Sequence, residues 1–266
     1  MNRIDARFAR LKASGRKALI PFFTAGDPSI EATVPLMHAL VAAGADVIEL
    51  GVPFSDPMAD GPTIQRSSER ALGRGAGLRS VLESVAGFRQ DDPDTPVVLM
   101  GYLNPVEIHG NQRFAADAVA AGVDGVLLVD LPIEESAELR DIFTDCGLAL
   151  IALASPTTVP VRMRAVCASA QGYLYYVSFS GVTGAGHLDT QAAGVRLREI
   201  RSGSQVPVVA GFGIKDAASA RAMSLEADGV VVGSALVDAL DGSADPAQAC
   251  ARATAFLAPL RQALDA

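Results

Sequence analysis

Eight short apolar runs recur along the chain, and their spacing restricts what it can fold into more than any other feature. They are Ala18–Phe23, Val47–Leu50, Val97–Met100, Gly125–Val129, Leu148–Leu153, Tyr173–Val177, Pro207–Ala210 and Gly229–Val232. Most are β-branched or Leu-rich on both faces, as strands covered on both sides of a parallel sheet must be. Helix-like stretches lie between them, among them Ile30–Ala43, Asn111–Ala121, Glu134–Asp145 and Thr190–Arg201. Gly-Ala-Asp46, Gly-Val-Asp124 and Ala-Asp228 stand just ahead of the next strand, where helix-stop and turn chemistry belongs. This alternation runs without a break in composition and predicts an α/β fold, a single (β/α)8 TIM barrel domain over residues 1–266. A doubly wound open sheet is the alternative topology.

Ile4, Phe8 and Leu11 fall on one face of an extra N-terminal helix, and the tail from Asp245 to Ala266 reads as a closing helix. One gap between runs, from Val47 to Val97, is about twice the usual length. It holds a loop, Gly51–Gly61, and two helix candidates, Thr63–Leu72 and Leu78–Gln90. A long loop after the second strand, on the face where barrels carry their sites, marks a functional segment.

The net charge is −8 and no basic run appears, which argues against nucleic acid and anionic membrane surfaces as partners. A small anionic substrate stays open, because helix N-termini hold phosphate through backbone N–H groups. The apolar stretches are strand-sized, so no membrane span is expected. The start lacks a signal-peptide core, and Cys146, Cys167 and Cys250 show no paired spacing, so a cytoplasmic setting with idle thiols is expected. His38, His109 and His187 are isolated, and no metal site is expected.

Strand alternation in Asp46-Val-Ile-Glu-Leu-Gly51 puts Val47, Glu49 and Gly51 on one face and the aliphatics Ile48 and Leu50 on the other. The aliphatics suit the helix-facing layer, so Glu49 points into the barrel. Desolvation there raises a carboxyl pKa, as a general acid–base requires. The loop that follows carries Asp56 and Asp60 between stiffening prolines. Asp56 reads as a turn cap; for Asp60 capping and catalysis are both open. Glycines after the sixth, seventh and eighth runs, in Ser180–Gly186, Gly211-Phe-Gly213 and Gly233-Ser234, together suggest a phosphate cradle. None has the spacing of a nucleotide-binding loop. Phe22 and Phe212 at strand ends are candidates to wall a flat ring, and Tyr102, at the end of the third strand, is a candidate to line the site or to pack. Thr183 is a candidate partner for a carboxylate of the second loop.

These residues resemble the tryptophan synthase alpha subunit family over nearly the whole chain. The most specific stretches are Phe22-Phe-Thr-Ala-Gly-Asp-Pro28, Glu49-Leu-Gly-Val-Pro-Phe-Ser-Asp-Pro57 and Ala59-Asp-Gly-Pro-Thr-Ile-Gln65. Gly101-Tyr-Leu-Asn-Pro105, Gly181-Val-Thr-Gly184 and Gly211-Phe-Gly213 add to them. Met58 stands where the family usually has Leu, a volume-conserving change. The resemblance implies a lyase of tryptophan biosynthesis, cleaving indole-3-glycerol phosphate to indole and glyceraldehyde 3-phosphate in a retro-aldol reaction. It implies Glu49 as acid–base and Asp60 as acceptor for the indole N–H. It implies Gly184, Gly213, Gly233 and Ser234 at the phosphate, and Phe22, Tyr102 and Phe212 at the indole, with Thr183 in the covering loop. It implies no cofactor in this chain and an alpha2beta2 heterotetramer with a beta subunit that carries pyridoxal phosphate. A phosphosugar isomerase on the same barrel and a non-catalytic activator of the partner are the rival readings.

Overall fold

The computed structural model describes residues 2–177, 190–211 and 213–266. Its strands are β1 (Ala18–Thr24), β2 (Ile48–Gly51), β3 (Val97–Gly101), β4 (Gly125–Leu128), β5 (Ala149–Leu150), β6 (Ala152–Ala154), β7 (Leu174–Val177), β8 (Val208–Gly211) and β9 (Gly229–Val232). All pairings among them are parallel. The order β5-β4-β3-β2-β1-β9-β8-β7-β6 carries the sheet round almost to its starting point. β5 and β6 are consecutive pieces of one apolar run, interrupted at Ile151: the first pairs with β4, the second with β7. The fifth run, expected as one strand, is thus split, and the ring is an eight-position barrel made of nine strands.

The helices begin with α1 (Arg3–Ala13), which lies apart from the rest; the others cover the outside, starting with α2 (Thr33–Ala42), α3 (Pro62–Gly73) and α4 (Leu78–Phe88). After β3 come α5 (Leu103–His109) and α6 (Asn111–Ala121), then α7 (Ala137–Asp145), α8 (Pro160–Ser169), α9 (Thr190–Gly203) and α10 (Ala217–Ser224). The last two are α11 (Ser234–Leu240) and α12 (Pro246–Asp265). The core separates by strand parity, as alternation demands. Leu19, Phe23, Ile48, Leu50, Val97 and Leu99 meet the helices. Ile20, Phe22, Val47, Val98, Tyr173 and Tyr175 fill the interior. α1 belongs to the second set: Ile4, Phe8 and Leu11 are buried with the interior residues, and the Phe8 ring lies 5.8 Å from that of Tyr173. The extra helix therefore plugs the barrel's floor.

One device repeats around that floor. The Asp46 carboxylate accepts the Leu19 N–H at 3.0 Å, and Asp124 accepts that of Val97 at 2.9 Å. Gln171 takes the Leu150 N–H and Asp228 the Val208 N–H, each at 2.9 Å. In each case a side chain just ahead of one strand ties down the strand before it. Arg261 closes on Asp46 at 3.0 Å, Arg89 on Asp124 at 2.8 Å and Arg201 on Asp228 at 2.8 Å. Gly44 and Gly122, at φ of 105° and 92°, end the preceding helices in the left-handed region that glycine tolerates. The Asp residues expected as turn punctuation are clamps as well.

Candidate active site

Glu49 lies in β2 beside Phe22 of β1 and Val98 of β3, with no solvent exposure. Its Oε1 accepts a 2.6 Å hydrogen bond from the Tyr173 hydroxyl, while Oε2 is buried without a partner. No cation is paired with it among the described residues. Burial drives its carboxyl up to about 7, and the Tyr173 hydrogen bond offsets only part of that rise. Burial and the neighbouring Glu49 push the Tyr173 phenol well up in turn, so it stays an O–H donor.

Above Glu49 opens a narrow cleft, bordered by Phe22, Thr24, Gly51, Asp60, Met100 and Tyr102 among others. Gly51 is the next residue of β2 on the same face, so Glu49 sits about 7 Å of strand rise below the cleft's edge. A side chain at Gly51 would collide with Phe22: its Cβ would come 2.8 Å from the ring. At Gly211 a Cβ would fall 2.1 Å from the Tyr175 hydroxyl. These two glycines let aromatic rings close over the strands around the acid. The Thr24 hydroxyl, at the end of β1, is buried in this wall without a partner.

Asp60 reaches the cleft from the loop between β2 and α3. The Tyr102 hydroxyl donates to its Oδ2 at 3.1 Å and accepts the Ala59 N–H at 3.0 Å, so one phenol sets both the acid and its backbone. Burial pushes the Asp60 carboxyl up, with the Tyr102 bond working against it. From the first turn of α3, the Gln65 amide donates to the Asp60 carbonyl at 2.9 Å and to that of Pro57 at 3.4 Å. Asp56 behaves as a turn residue: its carbonyl takes the Met58 N–H at 2.8 Å.

Gly213 follows β8 at a φ of +74°, and Gly233-Ser234 opens α11 after β9. The Gly233 carbonyl takes the Leu236 and Val237 N–H groups at 2.8 and 3.0 Å, and the N–H groups of Ser234 and Ala235 ahead of them are the ones this helix start can offer to an anion. A Cβ on Gly233 would touch the Phe22 ring at 3.4 Å, which places the start of α11 beside the cleft. Thr183, Gly184 and Phe212 lie outside the described residues. Of the predicted residues, Asp60, Phe22 and Tyr102 thus border one opening, with Glu49 below it and Gly233, just ahead of Ser234, against the Phe22 ring. Tyr173 and Thr24 were missed. Tyr173 and Tyr175 recur at period two in a run that also holds Tyr176, and a hydroxyl on an inward strand face needs a partner; that is the available signal. Among the described residues no group of His, Cys, Asp or Glu has the form of a metal site.

A parallel barrel with a desolvated carboxyl under its mouth and a second acid on the long loop has the layout of a (β/α)8-barrel enzyme of the acid–base kind. The chain matches the sequence pattern described as "Tryptophan synthase alpha chain" over residues 8–265. It is 74% identical to the tryptophan synthase alpha chain of Xanthomonas oryzae pv. oryzae (strain MAFF 311018), covering 100% of this chain and 99% of that one. For the same protein of Xanthomonas campestris pv. campestris (strain B100), identity is 72% over 100% and 98%. The crystal structure of tryptophan synthase subunit alpha from Legionella pneumophila str. Paris superposes with a TM-score of 0.93 at 46% identity, covering 100% and 99% of the two chains. A tryptophan synthase chain from M. tuberculosis, in an aminoacrylate-bound form, gives 0.87 at 34% identity over 99% and 100%. The chain belongs to the tryptophan synthase alpha chain family.

Proposed function

We propose that Glu49 and Asp60 carry out the family's reaction in this chain, residues 1–266 acting as one catalytic domain. As a tryptophan synthase alpha chain, the protein is a carbon–carbon lyase that cleaves indole-3-glycerol phosphate in tryptophan biosynthesis. The observation that carries the residue assignment is the buried Glu49, held by one phenol with its carboxyl raised to about 7. Such a group holds its proton near neutrality and still gives it up.

The retro-aldol cleavage then balances with protons alone and calls for no cofactor in this chain. Glu49, protonated on the unpaired Oε2, turns upward from Tyr173 and protonates the ring carbon that bears the glycerol chain. The ring becomes an indolenine cation, and Asp60 accepts the hydrogen bond of its N–H, stabilising the positive charge. The Glu49 carboxylate takes the proton of the adjacent glycerol hydroxyl. The carbon–carbon bond breaks, its electron pair restores the indole, and the hydroxyl carbon leaves as the aldehyde of glyceraldehyde 3-phosphate. Phe22 and Tyr102 flank the ring, and by the family's pattern Phe212 joins them while Thr183 belongs to the covering loop. Gly184, Gly213 and Gly233-Ser234 receive the phosphate through backbone N–H groups and the Ser234 hydroxyl.

The partner in this reading is a pyridoxal-phosphate-dependent beta subunit in an alpha2beta2 complex. Its setting is the cytoplasm, where the unpaired Cys146, Cys167 and Cys250 stay reduced. No helix among the described residues is long and apolar enough to cross a membrane. The test is indole release from indole-3-glycerol phosphate by the purified chain, with and without a beta subunit, beside Glu49→Gln. The chain has no Trp, so product fluorescence stands over a low background. Slow release, accelerated by the partner and abolished in the variant, is expected. Release of no indole under either condition rejects the reading.

A further inference from the structure

We infer that Asp27 is a positioning residue for the reaction, acting on Asp60 through α3 and Gln65. The inference rests on the reading of Asp60 as acceptor for the ring N–H. Asp27 follows β1 by three residues and is 5% exposed. Four donors converge on its two oxygens, from Ser67 and Arg70 of α3 and from Arg74 at that helix's C-cap. Ser67 donates to Oδ2 at 2.8 Å, and Arg70 grips both oxygens at 2.9 and 2.7 Å. Arg74 reaches Oδ1 at 3.2 Å. Positions 67, 70 and 74 share a helix face by their spacing of three and four. Arg70 also reaches Asp241, at the end of α11, at 3.5 Å.

The same helix governs the Asp60 loop. α3 begins at Pro62, and its N-terminus has no side-chain cap. What joins helix to loop is Gln65, whose amide donates to the Asp60 and Pro57 carbonyls. Another face of α3 presents Ile64 and Ser68 to the cleft. The helix is therefore pinned at its middle to the β1 loop, flanked by the helix that starts at Gly233-Ser234, and tied at its first turn to the backbone of Asp60. Its position sets where the Asp60 carboxylate meets Tyr102 and the substrate ring. Removing the charge of Asp27 leaves Arg74 without its counter-ion and Arg70 with Asp241 alone, and lets α3 shift. A displacement of Asp60 by about 1 Å then costs on the order of 10- to 100-fold in turnover.

The experiment measures kcat and KM for indole release, and the thermal midpoint, with the beta subunit present. It compares Asp27→Asn, Gln65→Ala, Asp60→Asn and the two double variants that add Asp60→Asn. Expected is a kcat loss of about 10-fold or more in Asp27→Asn and in Gln65→Ala, with KM nearly unchanged. In the Asp60→Asn background both losses shrink to about 2-fold or less, because a positioning residue has no acid left to position. A purely structural role lowers the midpoint and leaves kcat intact well below it, and that result overturns the inference. So does a loss that multiplies in full onto Asp60→Asn. If Asp27→Asn does not fold, Gln65→Ala decides by the same criteria. A wild-type rate in Asp60→Asn overturns the Asp60 reading and this inference together, whereas a slow Asp60→Asn with multiplying losses overturns the inference alone.

Discussion

At the scale of single residues, the governing fact is how differently two carboxyls are housed. Glu49 is sealed below the cleft with one phenol for company; Asp60 sits at its edge, tethered through Tyr102 and Gln65. In the proposed mechanism the resting Glu49 must carry its proton. Its carboxyl titrates at about 7, so kcat/KM should fall as pH rises through that value, and a profile flat from pH 6 to 8 would remove Glu49 from that role. Asp60→Asn keeps the shape but loses the charge that stabilises the indolenine. We expect a loss of roughly 100-fold in kcat, smaller than the loss in Glu49→Gln, because the acid–base survives. An unchanged rate would reduce Asp60 to a turn residue.

At the scale of elements, the clamps along the floor organise the strands. Asp124 is 3% exposed and holds the Val97 N–H, Arg89 and Arg3 at once. Asp124→Ala would strand a strand donor and leave the largely buried Arg89 without its counter-ion. We expect a cost of about 3–5 kcal/mol, read as a lower urea midpoint, since breaking one side of a buried pair leaves the other charge uncompensated. Asp124→Asn, which retains an acceptor for Val97, should lose less. The clamps lie at the opposite end of the strands from the cleft, so kcat of the folded variant should hold. This separation of stability from chemistry is general to barrels, whose sites gather at the C-terminal face.

At the scale of the whole molecule, burying Glu49 has a cost that depends on pH. The ordinary value of 4.5 rises to about 7 in the fold, so the native state binds this proton more tightly than the unfolded chain. Its contribution is fully present below about pH 4.5 and is lost as pH rises through about 7. Glu49→Gln does not titrate there. The stability of the variant relative to the parent should therefore climb by on the order of 3 kcal/mol between pH 4.5 and 8, at about 1.4 kcal/mol per unit. Denaturation curves at the two pH values check this, and a difference that does not change with pH would contradict the burial. Much of the architecture was legible in the chain. Eight apolar runs set the ring, alternation turned Glu49 inward, and the interval after Leu50 announced a long loop with two helices. Those are local matters, decided by period, by strand faces and by glycine and proline. The short α5 escaped because seven residues carry too little periodicity, and the break at Ile151 because it reflects how neighbouring strands pair. That Tyr173 holds Glu49 across 124 positions, that Asp27 receives Ser67, Arg70 and Arg74, and that Gln171 does the work of an Asp are contacts between distant segments. No local pattern encodes them. They exist because closing the barrel buries polar groups that must each find a partner, and only the tertiary structure decides which partner is within reach.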